Sequence, residues 1–237
     1  MGERSGEWTQ SGAAAQRRVY AIEVAVFLAL ILPSLVLGAV LGMPTAITFS
    51  ITAVSTIARD IGLVAVALYF VWRGGESLQR IGWKWDRSAL GKEALIGLVL
   101  FFPALLATSA LGSALSRLGL TAPSTTPAFL QPQGAAQTAL AIVLVIVVAV
   151  AEETIFRGYL LLRLGAVARS PAAAVILSSA LFGLGHGYEG SAGMISITAL
   201  GAIYALVYLW RGNLTAPIVM HFMQDFLGII LLPRLTH

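Results

Sequence analysis

Cysteine is absent from this chain of 237 residues, and charged side chains are scarce. The missing thiols exclude disulfides, thiolate nucleophiles and metal sites with cysteine ligands. Charged residues make up 11% of the chain, whereas soluble domains carry roughly 25%. Because 58% of the residues are hydrophobic and the mean hydropathy is +0.86, the composition predicts a multi-pass integral protein of the cell membrane, with the lipid bilayer as its main partner.

Several functional signatures are also missing. No stretch combines basic residues with interleaved aromatic residues, so we expect no nucleic-acid binding. The HExxH pattern of zinc proteases, the GxSxG pattern of serine hydrolases and the paired aspartates of intramembrane aspartyl proteases do not occur. The sequence therefore excludes these three familiar forms of hydrolase.

Long apolar runs dominate what is present. A membrane helix needs about 20 residues, and by this rule we predict an all-α fold, a polytopic transmembrane helix bundle with a cytoplasmic N-terminus. About seven spans are predicted, at roughly 19–42, 46–72, 93–116, 137–163, 171–188, 193–210 and 213–232.

The basic residues predict the orientation of these spans, because cytoplasmic loops carry an excess of Lys and Arg. With seven spans and the N-terminus inside, only Arg117 and Arg234 fall outside. Trp72, Trp83 and Trp85 flank the main basic loop and are expected to anchor it at the headgroups. The basic positions assigned to the cytoplasmic side are Arg17, Arg18, the loop 73–92, Arg163, Arg169 and Arg211.

The fourth apolar segment carries charge in an otherwise aliphatic run, AVAEETIFRGYLLLR. Charged residues inside membrane spans are rare and are candidates for functional sites. On a helix, Glu153 and Arg157 stand at i and i+4 and can pair, while Glu152 points about 100° away. We interpret Glu152 as the reactive carboxylate and the Glu153–Arg157 pair as its support.

Arg59 and Asp60 form a second charged position, in the middle of the second segment. Adjacent residues do not face each other on a helix, so we expect each to meet a partner on another helix. A structural polar contact is the preferred interpretation over a catalytic role.

Two later segments add titratable groups. His186 follows Phe182 by four residues, and His221 and Asp225 stand at i and i+4. With a rise of about 1.5 Å per residue, Glu152 lies about 3 Å to the inner side of the bilayer centre. By the same measure His186 lies about 8 Å and Asp225 about 4 Å to the outer side, with His221 close to the centre. All four can meet in one buried pocket.

Such a set suits hydrolysis of an amide within the membrane. A desolvated carboxylate that is hydrogen-bonded to a histidine can take a proton from water. A second histidine and a further polar group can then stabilise the oxyanion of a tetrahedral intermediate. The same side chains could instead bind a divalent metal such as zinc, which would activate the water.

The three polar sets resemble the motifs EExxxR, FxxxH and HxxxN or HxxxD of the CPBP family of intramembrane proteases. This family includes the type II CAAX prenyl endopeptidases and bacterial bacteriocin-processing or Abi-like self-immunity proteins. The motifs occur in the family's order, and the resemblance covers roughly 137–232. They read Glu152-Glu153-Thr-Ile-Phe-Arg157, Phe182-Gly-Leu-Gly-His186 and His221-Phe-Met-Gln-Asp225.

By position, the resemblance implies that Glu152 and His186 activate the water. His221 and Asp225 would form the oxyanion site or, with Glu152 and His186, hold a metal, and Glu153, Arg157 and Phe182 would be support. Where relatives carry Asn, an ionised Asp225 can only accept hydrogen bonds. Asp225 is therefore protonated, orients His221 or binds metal, and these alternatives stay open.

Composition and apolar run length predict a flexible polar tail (1–18), N-terminal transmembrane helices with the basic loop (19–136) and a short C-terminal tail (233–237), and the resemblance implies a catalytic core (137–232). The implied substrate is a peptide or protein within or at the membrane, either prenylated or a membrane or secreted peptide. No cofactor other than a metal is expected.

Three alternatives remain. One is a non-catalytic immunity or scaffold protein, and another is a bundle that uses polar contacts only for folding. The third is a proton-coupled transporter with Arg59, Asp60, Glu152 and Asp225 as its relay. Transporters commonly contain internal repeats, and the two halves of this sequence show none.

Overall fold

The computed structural model describes residues 3–41, 47–84, 86–122 and 126–235. This part of the chain contains helices and no strand, which confirms the all-α prediction. The α-helices are α1 (Glu3–Leu41), α2 (Phe49–Arg73), α3 (Arg87–Arg117), α4 (Gly134–Glu153), α5 (Leu161–Ala168), α6 (Pro171–Leu184), α7 (Gly190–Arg211), α8 (Thr215–Asp225) and α9 (Leu232–Leu235).

Five described helices are long and apolar enough to cross a membrane, at Phe49–Arg73, Arg87–Arg117, Gly134–Ala168, Gly187–Arg211 and Thr215–Leu235. Each of the seven predicted segments coincides with a helix, but the count of seven spans and the orientation of the N-terminus stay predictions. Helix α6 is shorter than predicted, with 14 residues. Glycines at 183, 185 and 187 follow its apolar run, and glycine is a poor helix former. Helix α1 also covers residues 3–18, for which the sequence predicts a polar tail.

The helices pack around the segment that carries the two glutamates. Helix α2 lies along α4, α6 packs on α7, and α3 packs on both α7 and α8. Helix α1 reaches across to α5. The N-terminal helices therefore form part of the wall around the C-terminal core.

A π-helical segment, Thr154–Leu160, joins α4 to α5 and is buried throughout. It packs closely on the short turn Leu78–Ile81. A Cβ atom at Gly158 would lie 2.6 Å from the carbonyl oxygen of Ile81, so only glycine fits there. A second π-helical segment, Phe226–Leu231, follows α8 directly. π-Helical turns are often found at functional sites, and these two begin next to Glu153 and at the residue after Asp225.

Arg163 shows why counting basic residues is an incomplete guide to loops. The sequence assigns it to the end of a span, but its side chain is 0% exposed. Its Nε lies 2.8 Å from Glu23 Oε2 of α1, and its Nη2 lies 2.6 Å from Glu76 Oε1. Arg163 is therefore a buried ion-pair partner rather than a solvent-exposed loop charge, and its assignment to the cytoplasmic side stays a prediction.

The predicted tryptophan anchors differ in their surroundings. Trp72 is 74% exposed at the end of α2, as an interfacial residue would be. Trp83 packs against the main apolar core. Trp85 lies outside the described residues.

Candidate active site

A cavity of about 210 Å³ lies among α2, α4, α6 and α8. Its wall contains Glu152, His186, His221 and Asp225, so the fold brings together the four predicted site residues. Most of the remaining wall is apolar. It includes Leu63, Leu144, Val148, Ile155, Phe156 and Phe182.

The Glu153–Arg157 pair lies directly behind this cavity. Arg157 Nη1 donates to Glu153 Oε1 over 2.8 Å, which confirms the pair predicted from the i and i+4 spacing. Arg157 Nη2 donates to the carbonyl oxygen of Gly201 over 3.1 Å. The guanidinium also lies 4.3 Å from the centre of the Phe182 ring. The pair thus ties α4 to α6 and α7.

Glu153 also orients His221. Its Oε1 lies 2.8 Å from His221 Nδ1. An ionised carboxylate only accepts hydrogen bonds, so Nδ1 carries a proton and donates a hydrogen bond to Glu153. His221 Nε2 then faces the other two carboxylates, 3.5 Å from Asp225 Oδ2 and 3.9 Å from Glu152 Oε2. The buried Glu153 therefore orients the side chains of both Arg157 and His221.

Glu152 is held far more loosely than its neighbour. Its side chain is 12% exposed, and Oε1 lies 3.7 Å from Arg59 Nη2, beyond hydrogen-bond distance. Its Oε2 is buried without a hydrogen bond to any described residue. The side chain keeps an exposed fraction and its carboxylate makes no hydrogen bond to a described residue, so a water molecule or a substrate in the cavity can approach this carboxylate.

His186 faces the same cavity from the end of α6. Its Nδ1 lies 2.9 Å from the carbonyl oxygen of Phe182, so Nδ1 is the donor and Nε2 is left for the cavity. Its ring packs between Phe182 and Tyr188. No hydrogen bond between His186 and Glu152 is found among the described residues, so their cooperation would require an intervening molecule.

Arg59 and Asp60 correct one expectation from the sequence. Nε and Nη2 of Arg59 both lie 2.9 Å from Asp60 Oδ1, so the two neighbours pair with each other. Arg59 also meets Glu152 of α4, as expected, at 3.7 Å. The pairing within α2 was missed because the expectation considered helix faces and ignored the length of an arginine side chain, which can fold back along the helix. Both residues also line the cavity.

The loop before α4 contributes to the site without any signal in its sequence. Phe129 and Leu130 lie in the cavity wall, and the Phe129 ring meets Tyr188 edge to face at 5.7 Å. Hydrophobic residues in a connector do not reveal which helix ends they cover. The charge of Arg59 and Asp60 inside a span was, by contrast, a usable signal for the site.

The described residues do not fit a metal ion well. No group of three or more His, Asp or Glu side chains among them is arranged to hold one. The Nδ1 contacts of His221 with Glu153 and of His186 with Phe182 leave Nε2 as the nitrogen that could face an ion, and they do not themselves argue for or against one. The metal site therefore stays a prediction, and the metalloprotease interpretation gains no support from the geometry.

Comparison with known proteins returns one family. Residues 134–227 match the family model of the type II CAAX prenyl endopeptidase Rce1-like domain. No curated protein and no solved structure matches the chain. The matched range contains all three motifs. Together with the five apolar helices, the match shows an integral membrane protein.

Proposed function

We propose that this chain, whose residues 134–227 form a domain of the CPBP family, is an intramembrane endopeptidase that uses Glu152 to activate water. The family match supports a CAAX-type protease, and the site supplies a chemistry for it. The observation that carries the proposal is the carboxylate of Glu152, which makes no hydrogen bond to any described residue and lines a cavity shared with two histidines and Asp225.

The proposed reaction begins with a water molecule hydrogen-bonded to Glu152. The carboxylate takes one proton as the water oxygen bonds to the carbonyl carbon of the substrate, and a tetrahedral intermediate forms. Glu152 then gives this proton to the departing amine nitrogen as the C–N bond breaks. The products are a carboxylic acid and an amine, and Glu152 is ionised again.

The two histidines both contact Phe182 and line the same cavity, where they can position the reacting groups. Ring centres of His186 and His221 lie 4.9 and 5.7 Å from that of Phe182. Because Nδ1 of each ring carries the proton, the cavity-facing Nε2 of a neutral ring accepts a hydrogen bond from the attacking water, and it donates to the carbonyl oxygen only when the ring is protonated. Because Nδ1 of each ring is already engaged, each ring is fixed before a substrate arrives.

The apolar wall of the cavity favours binding of a substrate with hydrophobic side chains next to the cleaved bond. A prenylated C-terminal peptide and a membrane or secreted peptide both have this property. Prenylation is therefore a variable that the assay must include.

The test is cleavage of matched peptides, with and without a prenyl group, by the purified protein in detergent. Glu152→Gln keeps the shape of the side chain and removes the base. We expect it to slow cleavage by about 10²- to 10⁴-fold. Asp86→Asn is the control, because exposed Asp86 caps α3 and asparagine caps a helix equally well.

Two results would contradict the proposal. If no peptide is cleaved by a well-folded wild-type sample, the non-catalytic or transporter alternatives gain weight. If Glu152→Gln cleaves as fast as wild type, Glu152 is not the base. Metal content measured on the same sample addresses the metal alternative, since a stoichiometric ion required for cleavage would replace the metal-free scheme.

A further inference from the structure

We propose that Arg59 is a further catalytic residue, whose guanidinium binds the oxyanion of the tetrahedral intermediate formed at Glu152. The inference rests on the proposed function, because an oxyanion arises only if the site hydrolyses a peptide bond. Arg59 lies on α2, outside residues 134–227 that match the family. It would extend the active site into the N-terminal half of the chain.

The charge of the cavity gives the first reason. Among the described lining residues, Asp60, Glu152 and Asp225 are acidic, and Arg59 is the only Arg or Lys. An oxyanion adds negative charge to a poorly solvated site that already holds carboxylates. A positive group next to the reacting carbon offsets this repulsion.

The supply of hydrogen-bond donors gives the second reason, because the hydroxyls in the described wall, such as those of Thr56 and Tyr188, carry one O–H donor each. An ionised Asp225 can only accept hydrogen bonds. His221 uses Nδ1 for Glu153, and its Nε2 faces Asp225. The guanidinium of Arg59 has five N–H donors, more than any other described side chain in the cavity wall.

The way Arg59 is held gives the third reason. The side chain of Asp60 is 1% exposed, and its Oδ1 contacts both Nε and Nη2 of Arg59. The arginine side chain itself is 47% exposed. Its Nη1 makes no hydrogen bond to any residue that the structure describes. Arg59 is thus fixed along one edge and open along the other.

The distance to Glu152 suits this role. Nη2 of Arg59 lies 3.7 Å from Glu152 Oε1. The two oxygens of a tetrahedral intermediate share one carbon and lie close together. Glu152 can therefore contact the oxygen that comes from water while Arg59 contacts the oxygen that comes from the carbonyl.

The experiment measures kcat and KM for Arg59→Gln and Arg59→Lys beside wild type and Glu152→Gln. We expect Arg59→Gln to lower kcat by about 10²- to 10³-fold with little change in KM. Arg59→Lys should retain more activity, because it keeps the charge but loses the planar fork. Arg80→Gln is the matched control. Arg80 is 48% exposed and contacts one acid, Glu76, but it does not line the cavity.

Chemical rescue separates catalysis from folding. In Arg59→Ala the cavity gains space for a free guanidinium ion. Millimolar guanidinium should restore cleavage by about tenfold or more, in the range of one donor's contribution, and should not stimulate Arg80→Ala. A residue with only a structural role would show no such rescue.

The outcomes distinguish the two proposals. If wild type cleaves and Glu152→Gln does not, but Arg59→Gln keeps its kcat within about threefold, a change too small for a lost oxyanion donor, the role of Arg59 is overturned and the protease proposal stands. A rise in KM alone, or a loss of kcat without guanidinium rescue, would also overturn it. Absence of cleavage by folded wild type would overturn both.

Discussion

Two buried arginines lie on the same continuous helix and are used differently. Arg157 and Arg163 are 1% and 0% exposed, and each lies between carboxylates and aromatic rings. We call the first group the Arg157 cluster, with Glu153, Arg157, Phe182, Tyr204 and His221. The second is the Arg163 cluster, with Tyr20, Glu23, Glu76, Tyr159 and Arg163.

The difference lies in where the partners come from. Arg157 pairs with a residue of its own helix, four positions earlier. Arg163 pairs with Glu23, which is 140 residues away in the chain. The first cluster therefore fixes the geometry of the candidate site, whereas the second holds the N-terminal half against the core. Similar chemistry serves local orientation in one place and tertiary assembly in the other.

Arg163→Met would produce the largest loss of stability. It leaves Glu23 buried without its cation, although Glu76 keeps Arg80, and breaking a buried pair in this way costs about 3–5 kcal/mol. The free energy of unfolding, measured by denaturant titration in detergent, tests this. Arg80→Met is the control, because Arg80 is half-exposed and should cost less than about 1 kcal/mol. Cleavage per folded molecule should stay close to wild type, and a selective loss of cleavage would contradict the separation of the clusters.

Arg157→Met would cost somewhat less stability but would also impair the site. We expect about 3 kcal/mol, at the lower end of the range, because Glu153 keeps its hydrogen bond from His221. Cleavage per folded molecule should fall by more than about tenfold, since small displacements of a catalytic group are costly. Parallel unfolding and cleavage assays check this, and unchanged cleavage would show that the pair does not orient the site.

The combination of Glu153→Gln with Arg157→Met tests whether the pair acts as a unit. Removing both charges avoids leaving one of them unpaired. The double variant should lose about 2 kcal/mol less unfolding free energy than the sum of the losses in the two single variants. A double-mutant cycle of unfolding free energies measures this coupling. Additive effects would mean that Arg157 acts mainly through Gly201 and the aromatic rings.

Gly158→Ala tests the close contact between the π-helical segment and the turn at 78–81. The added Cβ would lie 2.6 Å from the carbonyl oxygen of Ile81, so the turn at 78–81 must shift. We expect a loss of about 1 kcal/mol or more in the free energy of unfolding. Gly165→Ala is the matched control, because its Cβ would meet Ala174 at an ordinary 3.6 Å. Equal effects of the two changes would contradict the close approach.

Tyr20→Phe should have the smallest effect. It removes a hydroxyl that accepts a hydrogen bond from Gln16 and lies 3.4 Å from Glu76. The ring over Arg163 remains, so the loss should be about 0.5 kcal/mol. Tyr20→Ala, measured in the same titration, should cost clearly more, because it also removes the ring. If the two variants were equally unstable, the ring would contribute nothing to the Arg163 cluster.

The sequence by itself determined the helical class, the membrane setting, the three motifs and the Glu153–Arg157 pair. These features are local, because apolar run length and the i and i+4 spacing follow from helix geometry. The constant rise of a helix also predicts an approximate depth for each titratable group, and these depths stay predictions. For this reason helix geometry alone predicts that the four candidate site residues share one pocket.

Only the tertiary structure decided which distant groups meet. The pairing of Arg163 with Glu23 and Glu76 depends on how α1 and the turn after α2 pack on α5. The entry of Arg59 into the cavity depends on α2 lying along α4. The orientation of His221 depends on a carboxylate 68 residues earlier. Helix periodicity fixes the direction of a side chain relative to its own axis, whereas packing selects the neighbour that it contacts.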